Sequence, residues 1–359
     1  MPGKAMIAMS GGVDSSVAAF LMQRAGYDCM GGTLRLFDNE TIGKEDKTCC
    51  SLDDVEDARS VARKLGIPFY AFNAKAAFAD KVIHDFIYCY ESGLTPNPCI
   101  QCNRHLKFDD FLRRSLTLGC DCIVTGHYAR IRYDAKSGRY LLCKAKDASK
   151  DQSYVLYCLT QEQLAHTKFP LGELTKEEVR AIAVENGFIN AHKRDSQDIC
   201  FVPDGDYVAF MERYTGKVYE PGVFLDESGK TVGTHRGAVC YTLGQRKGLG
   251  LAMGAPVYVC SKDMAANTVT VGPNEALFSR ILRANDWNWF PFPTLEAPMP
   301  VLAKVRYRHK EQPAIVYPEA NGFARVEFEE PQRAITTGQA VVLYHGDQVI
   351  GGGTITEVL

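Results

Sequence analysis

The chain has 359 residues, of which 46% are hydrophobic and 23% are charged, and its formal net charge at pH 7 is −2. This length predicts two or three domains with sizeable cores. The near-zero charge excludes a uniformly basic surface, so a nucleic-acid site would have to be a local basic patch. No apolar run approaches the ~18 residues of a membrane span. The thirteen cysteines, in a sequence without a signal-peptide or presequence pattern, predict reduced thiols in the cytoplasm.

The first functional feature is a glycine-rich turn near the N-terminus. The apolar residues 5–8 predict a strand, the turn Ser-Gly-Gly-Val-Asp-Ser-Ser occupies residues 10–16, and helical spacing begins at once. This arrangement lets backbone N–H groups and a helix N-terminus converge on an anion, and we expect a phosphate. The turn lacks both the lysine of a P-loop and the G-x-G-x-x-G pattern.

The turn resembles the SGG-x-DS signature of the pyrophosphatase-loop (PP-loop) ATPases. Members of that superfamily cleave ATP between the α- and β-phosphates and adenylate a substrate oxygen. An ordinary strand-to-helix turn is the alternative interpretation.

The elements that follow alternate between strand and helix. A β-α-β-α-β-α order predicts a parallel sheet with helices on both faces. The capping box that begins at Thr175 opens a further helix. We predict strands at 29–36, 69–72 and 122–125, helices at 52–65, 78–90 and 106–116, and a hairpin with strands 131–133 and 140–142.

The pattern of residue types changes near residue 205. Residues 222–254 are rich in glycine, and alternation with a period of two, as at 301–308 and 324–329, begins after about residue 276. Such alternation is typical of half-buried strands in a small barrel or sandwich. We therefore predict an α/β fold with three domains: an N-terminal PP-loop domain with a parallel sheet (1–204), a small central domain (205–275) and a C-terminal β-barrel (276–359).

Three cysteines lie in loops. Cys99 and Cys102 form a C-x-x-C pair ahead of a helix, whose N-terminus would favour a thiolate at Cys102. A zinc site needs a second pair with suitable spacing, and neither residues 49–50 nor 120–122 supply one. A thioredoxin-type redox pair is a further interpretation of the C-x-x-C. Cys200 ends a polar loop that runs into apolar residues, a pattern that by itself favours a buried core cysteine.

Taken over its whole length, the chain resembles the tRNA-specific 2-thiouridylase family, bacterial enzymes that thiolate the wobble uridine. The resemblance rests on several motifs that occur in the same order. They lie at residues 10–16, 97–103, 126–130, 150–154, 195–202, 233–237, 241–250 and 305–308.

The resemblance implies a nucleotide site that binds ATP and Mg²⁺ and adenylates the uridine 2-oxygen. It also implies that Cys200 carries a persulfide, that Cys102 is the nucleophile that releases the sulfur, and that a disulfide then joins the two. The residues expected to contact ATP are Ala8, Met9, Ser10, Gly11, Gly12, Val13, Asp14, Ser15, Leu34 and Gly126.

The resemblance further implies two partners, the anticodon loop of a tRNA and a sulfur donor protein, either a cysteine desulfurase or a sulfur-relay protein. Asn97, Pro98 and Cys99 would contact the target base. The other expected tRNA contacts are His127, Lys150, Asp151, Gln152, Arg306, Tyr307 and Gln339. The residues alone give some support, because the basic cluster 304–310 surrounds Tyr307 and suits phosphates and a stacked base. The polar face of a surface strand is the alternative for that cluster.

One departure from the family pattern concerns Cys99, since many relatives have Asp there and a thiol replaces a carboxylate poorly in acid–base catalysis. Cys99, Cys102 and Cys200 are therefore also candidates to bind an iron–sulfur cluster through which sulfur would pass. Two other functions stay open at this point. One is a PP-loop synthetase that adenylates a small molecule, and the other is a non-catalytic tRNA-binding protein.

Overall fold

The computed structural model describes residues 2–38, 52–193 and 199–359. Its N-terminal part is a five-stranded sheet in the order β3-β2-β1-β4-β7, in which every pairing is parallel. The predicted parallel sheet is therefore confirmed. The strands are β1 (Lys4–Ala8), β2 (Asp28–Arg35), β3 (Phe69–Asn73), β4 (Cys122–Val124) and β7 (Thr167–Lys168).

Helices cover both faces of this sheet. Two π-helical segments, Ala79–Ile83 and Asn103–Asp110, each have an α-helix immediately before and immediately after them. The predicted capping box at Thr175 is present, with Thr175 accepting from the N–H of Glu178. The α-helices are Val13–Arg24, Leu52–Leu65, Lys75–Phe78, His84–Glu91, Pro98–Cys102, Phe111–Thr117, Ser153–Leu156, Gln161–Ala165, Lys176–Glu185 and Tyr207–Thr215. Within the described ranges, no helix is long and apolar enough to cross a membrane.

The strand order fixes where a ligand can bind. The chain builds β1, β2 and β3 towards one side and then returns to place β4 on the other side of β1. The loops after β1 and β4 consequently diverge, and ligands of open parallel sheets bind in the crevice at such a point. The registers Ala8↔Gly32 and Ile7↔Val124 bring the loops after β1, β2 and β4 to one edge of the sheet.

The central part is a four-stranded sheet in the order β10-β11-β8-β9. Its strands are β8 (Gly222–Leu225), β9 (Thr231–His235), β10 (Tyr258–Asp263) and β11 (Thr268–Gly272). Phe224 and Val269 of this sheet belong to the same apolar cluster as Phe86 and Phe201, which come from the N-terminal part. The shared cluster holds the chain around residues 199–202 against the helical stretch 75–91.

The C-terminal part is a closed antiparallel barrel, as predicted. Six strands pair in the order β12-β15-β14-β13-β16-β17, and pairing of β12 with β17 closes the ring. Side chains such as Val316, Val326 and Leu343 fill its interior. The strands are β12 (Phe278–Trp289), β13 (Met299–Lys304), β14 (Gln312–Pro318), β15 (Ala324–Arg333), β16 (Ala340–His345) and β17 (Gln348–Val358).

One prediction needs correction. The alternating pattern at 301–308 predicts one strand, but β13 ends at Lys304, because its partner β14 begins only at Gln312 and leaves the intervening backbone unpaired. The basic cluster is therefore a turn, in which the N–H of His309 donates to the carbonyl of Arg306 at 3.1 Å. The predicted hairpin is present, with strands β5 (Arg130–Asp134) and β6 (Arg139–Cys143), and it extends the barrel sheet through β17.

Candidate functional site

The glycine-rich turn adopts a conformation that only glycine permits at its second residue. Gly11 has φ +75°, and a Cβ atom there would lie 2.3 Å from the carbonyl oxygen of Asp54. The hydroxyl of Ser15 accepts from the N–H of Ser10 at 3.2 Å and donates to the carbonyl of Gly12 at 3.0 Å. These bonds fold the turn back on itself at the start of the helix Val13–Arg24, which gives the anion-binding arrangement expected from the sequence.

The chain after β4 closes against this turn. A Cβ atom on Gly126 would lie 2.8 Å from both the carbonyl carbon of Asp14 and the backbone nitrogen of Ser15, so a side chain there would displace the turn. Leu34, near the end of β2, is partly buried at the same edge. The ten positions expected to contact ATP thus lie at one edge of the sheet, in or next to the ends of β1, β2 and β4.

The carboxylate of Asp14 is held by two neighbours that the sequence analysis missed. Lys176 Nζ lies 2.8 Å from each carboxylate oxygen, and the hydroxyl of Tyr128 donates to Oδ1 at 2.7 Å. Lys176 is 7% exposed, so its charged side chain is buried beneath the turn. Its position as the first residue after the capping residue Thr175 was visible in the sequence, but its partner was not.

A second group fixes the turn from the other side. The amide of Asn190, which is buried, donates to the carbonyl of Gly11 at 2.9 Å. Lys193 Nζ lies 2.5 Å from the carboxylate of Asp54 and 2.7 Å from that of Asp57. The turn is therefore held before any ligand binds by Lys176 from a helix, by Tyr128 from the loop after β4, and by the stretch 190–193.

The C-x-x-C pair lies on a short helix at the far end of the site. Asn97 caps the helix Pro98–Cys102 in an extended conformation, which places Cys99, not Cys102, in the first turn. The expectation of a stabilised thiolate at Cys102 is wrong, because burial raises its pKa. Cys99 is accessible to solvent but lies in a recess with protein on most sides, and this desolvation raises its pKa as well. The ammonium of Lys107 opposes both shifts without reversing them.

Cys200 and Cys102 border the same apolar cluster. Cys102 is a buried member of it, Cys200 is half-buried and packs against it, and Phe201 and Val202 follow in its interior. Neither thiol forms a disulfide with another of the described residues. In the part of the chain that the structure describes, no group of three or more His, Cys, Asp or Glu side chains is arranged to hold a metal ion. The thiols of Cys99, Cys102 and Cys200 are thus not grouped as metal ligands in the arrangement that the structure describes. Cys49 and Cys50, and residues 195–198 of the Cys200 loop, lie outside the described residues.

Tyr307 brings the barrel to the C-x-x-C recess. Its ring is 39% exposed, its hydroxyl donates to the carbonyl of Asp151 at 3.3 Å, and its centroid lies 6.0 Å from that of Tyr154. Burial raises the pKa of Tyr307, and the charges of Asp151 and Cys99 raise it further, which places Cys99 within electrostatic reach of this ring. The structure thus joins residues 97–99, the 150–152 loop and the barrel around one recess.

Other expected tRNA contacts face the protein in this structure. The carboxylate of Asp151 accepts from Ser153 Oγ at 2.6 Å, and the amide oxygen of Gln152 accepts from the N–H of Tyr128 at 2.9 Å. Lys150 is half-buried at the start of this loop. These bonds set the shape of the 150–152 loop.

His127 lies against aromatic rings, with centroids of Phe108 and Phe169 at 5.7 and 6.0 Å. Its Nδ1 and the hydroxyl of Thr125 are 2.8 Å apart. Burial, and then the charge of Lys107, lower the pKa of this imidazole well below its usual value. The ring is therefore neutral at physiological pH and offers hydrogen bonds and stacking without charge.

Arg306 and Gln339 also point inward. Arg306 Nη2 donates to the carbonyl of Ala334 at 3.0 Å and to Thr336 Oγ1 at 2.6 Å. Gln339 Nε2 donates to the carbonyls of Thr95 and Pro96 at 3.0 and 2.9 Å. The backbone next to the Asn97–Pro98 motif is thus bonded to the barrel.

Comparison with known proteins gives a consistent result along the chain. Family models described as the tRNA methyl transferase HUP domain, the tRNA methyl transferase PRC-barrel domain and the aminomethyltransferase beta-barrel domain match residues 3–204, 208–273 and 279–355. A protein of Clostridioides difficile named tRNA-specific 2-thiouridylase MnmA is 49% identical, over 100% of this chain and 99% of its own. A protein of the same name from Moorella thermoacetica is 52% identical, over 98% and 99%.

Solved structures resemble the chain more weakly. The U34-tRNA thiolase NcsA from Methanococcus maripaludis, solved with its 4Fe-4S cluster, has a TM-score of 0.36 and 16% identity, over 60% of this chain and 71% of that one. A 4-thiouridine synthetase in complex with RNA and ATP has a TM-score of 0.37 and 17% identity, over 59% and 53%. Likeness at this level supports no conclusion about cofactors.

Proposed function

Because this chain belongs to the tRNA-specific 2-thiouridylase family, we propose that it transfers sulfur to C2 of the wobble uridine of a tRNA in an ATP-dependent reaction. The observation that carries the proposal is that Tyr307 lies against the 150–152 loop and within electrostatic reach of Cys99. Tyr128 connects this loop to Asp14 of the phosphate turn. A synthetase that acts on a small molecule would not need the exposed ring of Tyr307 or the basic turn 305–310, which a separate barrel contributes.

The first step is activation by ATP. The uridine 2-oxygen attacks the α-phosphorus, pyrophosphate leaves, and the adenylated oxygen becomes a good leaving group. The N–H groups of the 10–16 turn and the helix behind it would stabilise the phosphates. Mg²⁺ would enter with ATP, coordinated mainly by phosphate oxygens and water. A base within a folded anticodon loop must leave its stack to reach this site, and the exposed ring of Tyr307 is suited to stack with it.

The second step is sulfur transfer. Cys200 would carry the sulfur as a persulfide that attacks C2, and AMP leaves with the former 2-oxygen. The Cys102 thiolate would attack Sγ of Cys200, so that the S–S bond to the transferred sulfur breaks while a Cys102–Cys200 disulfide forms. An external dithiol, or two monothiols in succession, then reduces this disulfide through a mixed disulfide and is itself oxidised to a disulfide. Both side chains border one apolar cluster, and a disulfide requires the two sulfur atoms to come within bonding distance, so at least one of the two segments must move.

The proposal implies further properties. The sulfur would come from a cysteine desulfurase or a sulfur-relay protein. A protein that acts on tRNA and needs reduced thiols is expected to work in the cytoplasm. The pair of thiols at Cys102 and Cys200 suits the persulfide route, and a route through an iron–sulfur centre on Cys99, Cys102 and Cys200 is the alternative that the experiment tests.

The test is 2-thiouridine formation, measured by mass spectrometry of digested tRNA after anaerobic incubation with ATP, Mg²⁺ and a persulfide donor. Cys102→Ser and Cys200→Ser should each abolish the product while ATP and tRNA binding persist. Cys99→Ser should retain a near-normal rate. Cys260→Ser, a half-buried cysteine in β10, is the matched control and should behave like the unmutated protein.

Other results would overturn parts of the proposal. Loss of product in Cys99→Ser together with an iron requirement would establish the cluster route. Pyrophosphate release that needs a small carboxylate or amide acceptor and no tRNA would establish a synthetase.

A further inference from the structure

The strongest unassigned feature is the contact between the barrel loop 334–339 and the chain that precedes Asn97. Gln339 Nε2 donates to two successive carbonyls, those of Thr95 and Pro96, at 3.0 and 2.9 Å. The N–H of Thr95 in turn donates to the carbonyl of Thr337 at 3.0 Å. Three hydrogen bonds between segments 244 residues apart therefore fix the two residues that lead into the C-x-x-C helix.

The fit at this contact is close enough to require a glycine. Gly338 has φ +85°, and a Cβ atom there would lie 2.9 Å from Cβ of Leu94 and 3.1 Å from both the nitrogen and the oxygen of Thr95. The loop is itself rigid, because the N–H of Gly338 donates to the carbonyl of Ile355 at 2.8 Å and the N–H of Ile355 to that of Gln339 at 2.8 Å. The barrel loop 334–339 thus holds one conformation, against which Leu94 and Thr95 pack.

The same barrel loop is anchored at its other end by the basic turn. Arg306 Nη2 bonds the carbonyl of Ala334 and the hydroxyl of Thr336, and the hydroxyl of Thr336 donates to the carbonyl of Ala334 at 2.9 Å. Arg306 Nε is buried without a hydrogen-bond partner. A buried N–H of a cation without an acceptor is costly, so a rearrangement of the turn 305–310 that brings a phosphate oxygen to Nε would satisfy this donor.

We propose that Gln339 is a positioning residue that sets the location of residues 97–99 through the carbonyls of Thr95 and Pro96, and that the 334–339 loop links the basic turn at Arg306 to the sulfur-transfer recess. The inference rests on the proposed function. It assigns Gln339 a role in the protein without tRNA, whereas the family resemblance implies only a contact with tRNA. Engagement of Arg306 by a phosphate of the tRNA would then act on the same loop that holds the target-base segment.

The experiment combines a measurement without substrate with one of turnover. The first is the rate at which iodoacetamide alkylates Cys99, followed by mass spectrometry of the peptide that contains it. Gln339→Glu keeps the size of the side chain but sets a carboxylate against two carbonyl oxygens, so the 97–99 segment should move. We expect the Cys99 alkylation rate to change at least about threefold and kcat for thiolation to fall about tenfold, with a smaller change in KM for tRNA.

Matched controls separate positioning from general damage to the barrel. Gln332→Glu alters a glutamine of the same barrel that bonds the carbonyl of Glu330, two residues away. Gly338→Ala should reproduce the effect of Gln339→Glu. Gly346→Ala also places alanine at a positive φ, +59°, but with no atom within 4 Å of the new Cβ. Both controls should retain the Cys99 alkylation rate and kcat of the unmutated protein.

The outcomes are distinct. If Gln339→Glu and Gly338→Ala leave Cys99 alkylation unchanged and only raise KM for tRNA, Gln339 is a direct tRNA contact and the positioning role is refuted. If the controls change kcat as much as the two test variants, the effect belongs to barrel stability and the proposal also fails. If the unmutated protein forms no 2-thiouridine, the proposed function fails, yet the alkylation rates still decide whether Gln339 positions the segment.

Discussion

The ion pair beneath the phosphate turn makes a quantitative prediction. Replacement of Lys176 by Met keeps the length and packing of the side chain but removes the ammonium that lies 2.8 Å from both oxygens of Asp14. Asp14 would keep the hydroxyl of Tyr128 and lose its principal compensating charge. The variant should therefore unfold more easily and bind ATP more weakly, since an uncompensated carboxylate would face the phosphates.

The magnitude follows from burial. Breaking a fully buried ion pair costs about 3–5 kcal/mol, whereas an exposed pair contributes about 0.2–1 kcal/mol. The Lys176 side chain is 9% exposed and that of Asp14 is 30% exposed, which places this pair between the two cases. We expect Lys176→Met to lower the free energy of unfolding by about 2–3 kcal/mol. The double variant with Asp14→Asn should recover about 1–2 kcal/mol relative to the sum of the single changes.

Urea unfolding followed by two probes measures this. Both tryptophans, Trp287 and Trp289, are stacked in the barrel with centroids 4.6 Å apart, so their fluorescence reports that part. The helices lie between residues 13 and 215 apart from short 3-10 turns, so far-UV circular dichroism reports the N-terminal part. The dichroism transition should shift in Lys176→Met. Lys146→Met, which removes a partly exposed pair with Glu178 on the same helix, should change stability by less than about 0.5 kcal/mol.

Two results would refute the reasoning. If Lys176→Met is within about 0.5 kcal/mol of the unmutated protein, the pair contributes no more than an exposed one. If the losses from the two single variants simply add in the double variant, Lys176 stabilises the fold without acting through Asp14.

Three further predictions concern the site. Gly126→Ala should weaken ATP binding at least about tenfold by calorimetry, because the added Cβ would lie 2.8 Å from backbone atoms of the turn. Gly254→Ala, which has open space around the new Cβ, should leave ATP binding unchanged. Burial lowers the pKa of His127, so NMR should show its ring neutral at about pH 6.5, the ordinary imidazole pKa at which an exposed histidine is half protonated. The unfolded chain then binds the extra proton, and stability falls as pH drops below about 6.5. His127→Gln should reduce that fall. Tyr307→Ala should raise KM for tRNA about tenfold by loss of stacking and leave ATP affinity unchanged; an unchanged KM would exclude a stacking role.

The parts of the site that the sequence predicts are those with local causes. The 10–16 turn needs only a strand, two glycines and a helix start within one short stretch, and the capping box at Thr175 is likewise complete within four residues. The parallel sheet follows from alternating periodicities, and the barrel from period-two strands. None of these predictions requires knowledge of which distant residues are in contact.

The remaining features depend on such contacts. Lys176 meets Asp14 across 162 residues, and Gln339 meets Thr95 across 244, so neither pairing leaves a pattern in a single sequence. The strand predicted at 301–308 fails for the same reason, since alternation does not show where a partner strand ends. The position of Cys102 within its helix was misjudged because the helix begins at Pro98, inside a stretch whose prolines indicate a loop.

The hairpin β5–β6 shows why the recess needs the whole chain. It arises from the N-terminal part, yet Cys143 pairs with Gln348 of the barrel, and Arg130 Nη2 bonds the carboxylate of Asp347 at 2.9 Å. The phosphate turn and the barrel loop 334–339 are thus parts of one continuous packed structure. A barrel that merely bound tRNA could be attached by a flexible linker. One that must place residues 97–99 within reach of an adenylated base has to be fixed to the sheet, and the hairpin together with the Gln339 contacts provides that attachment.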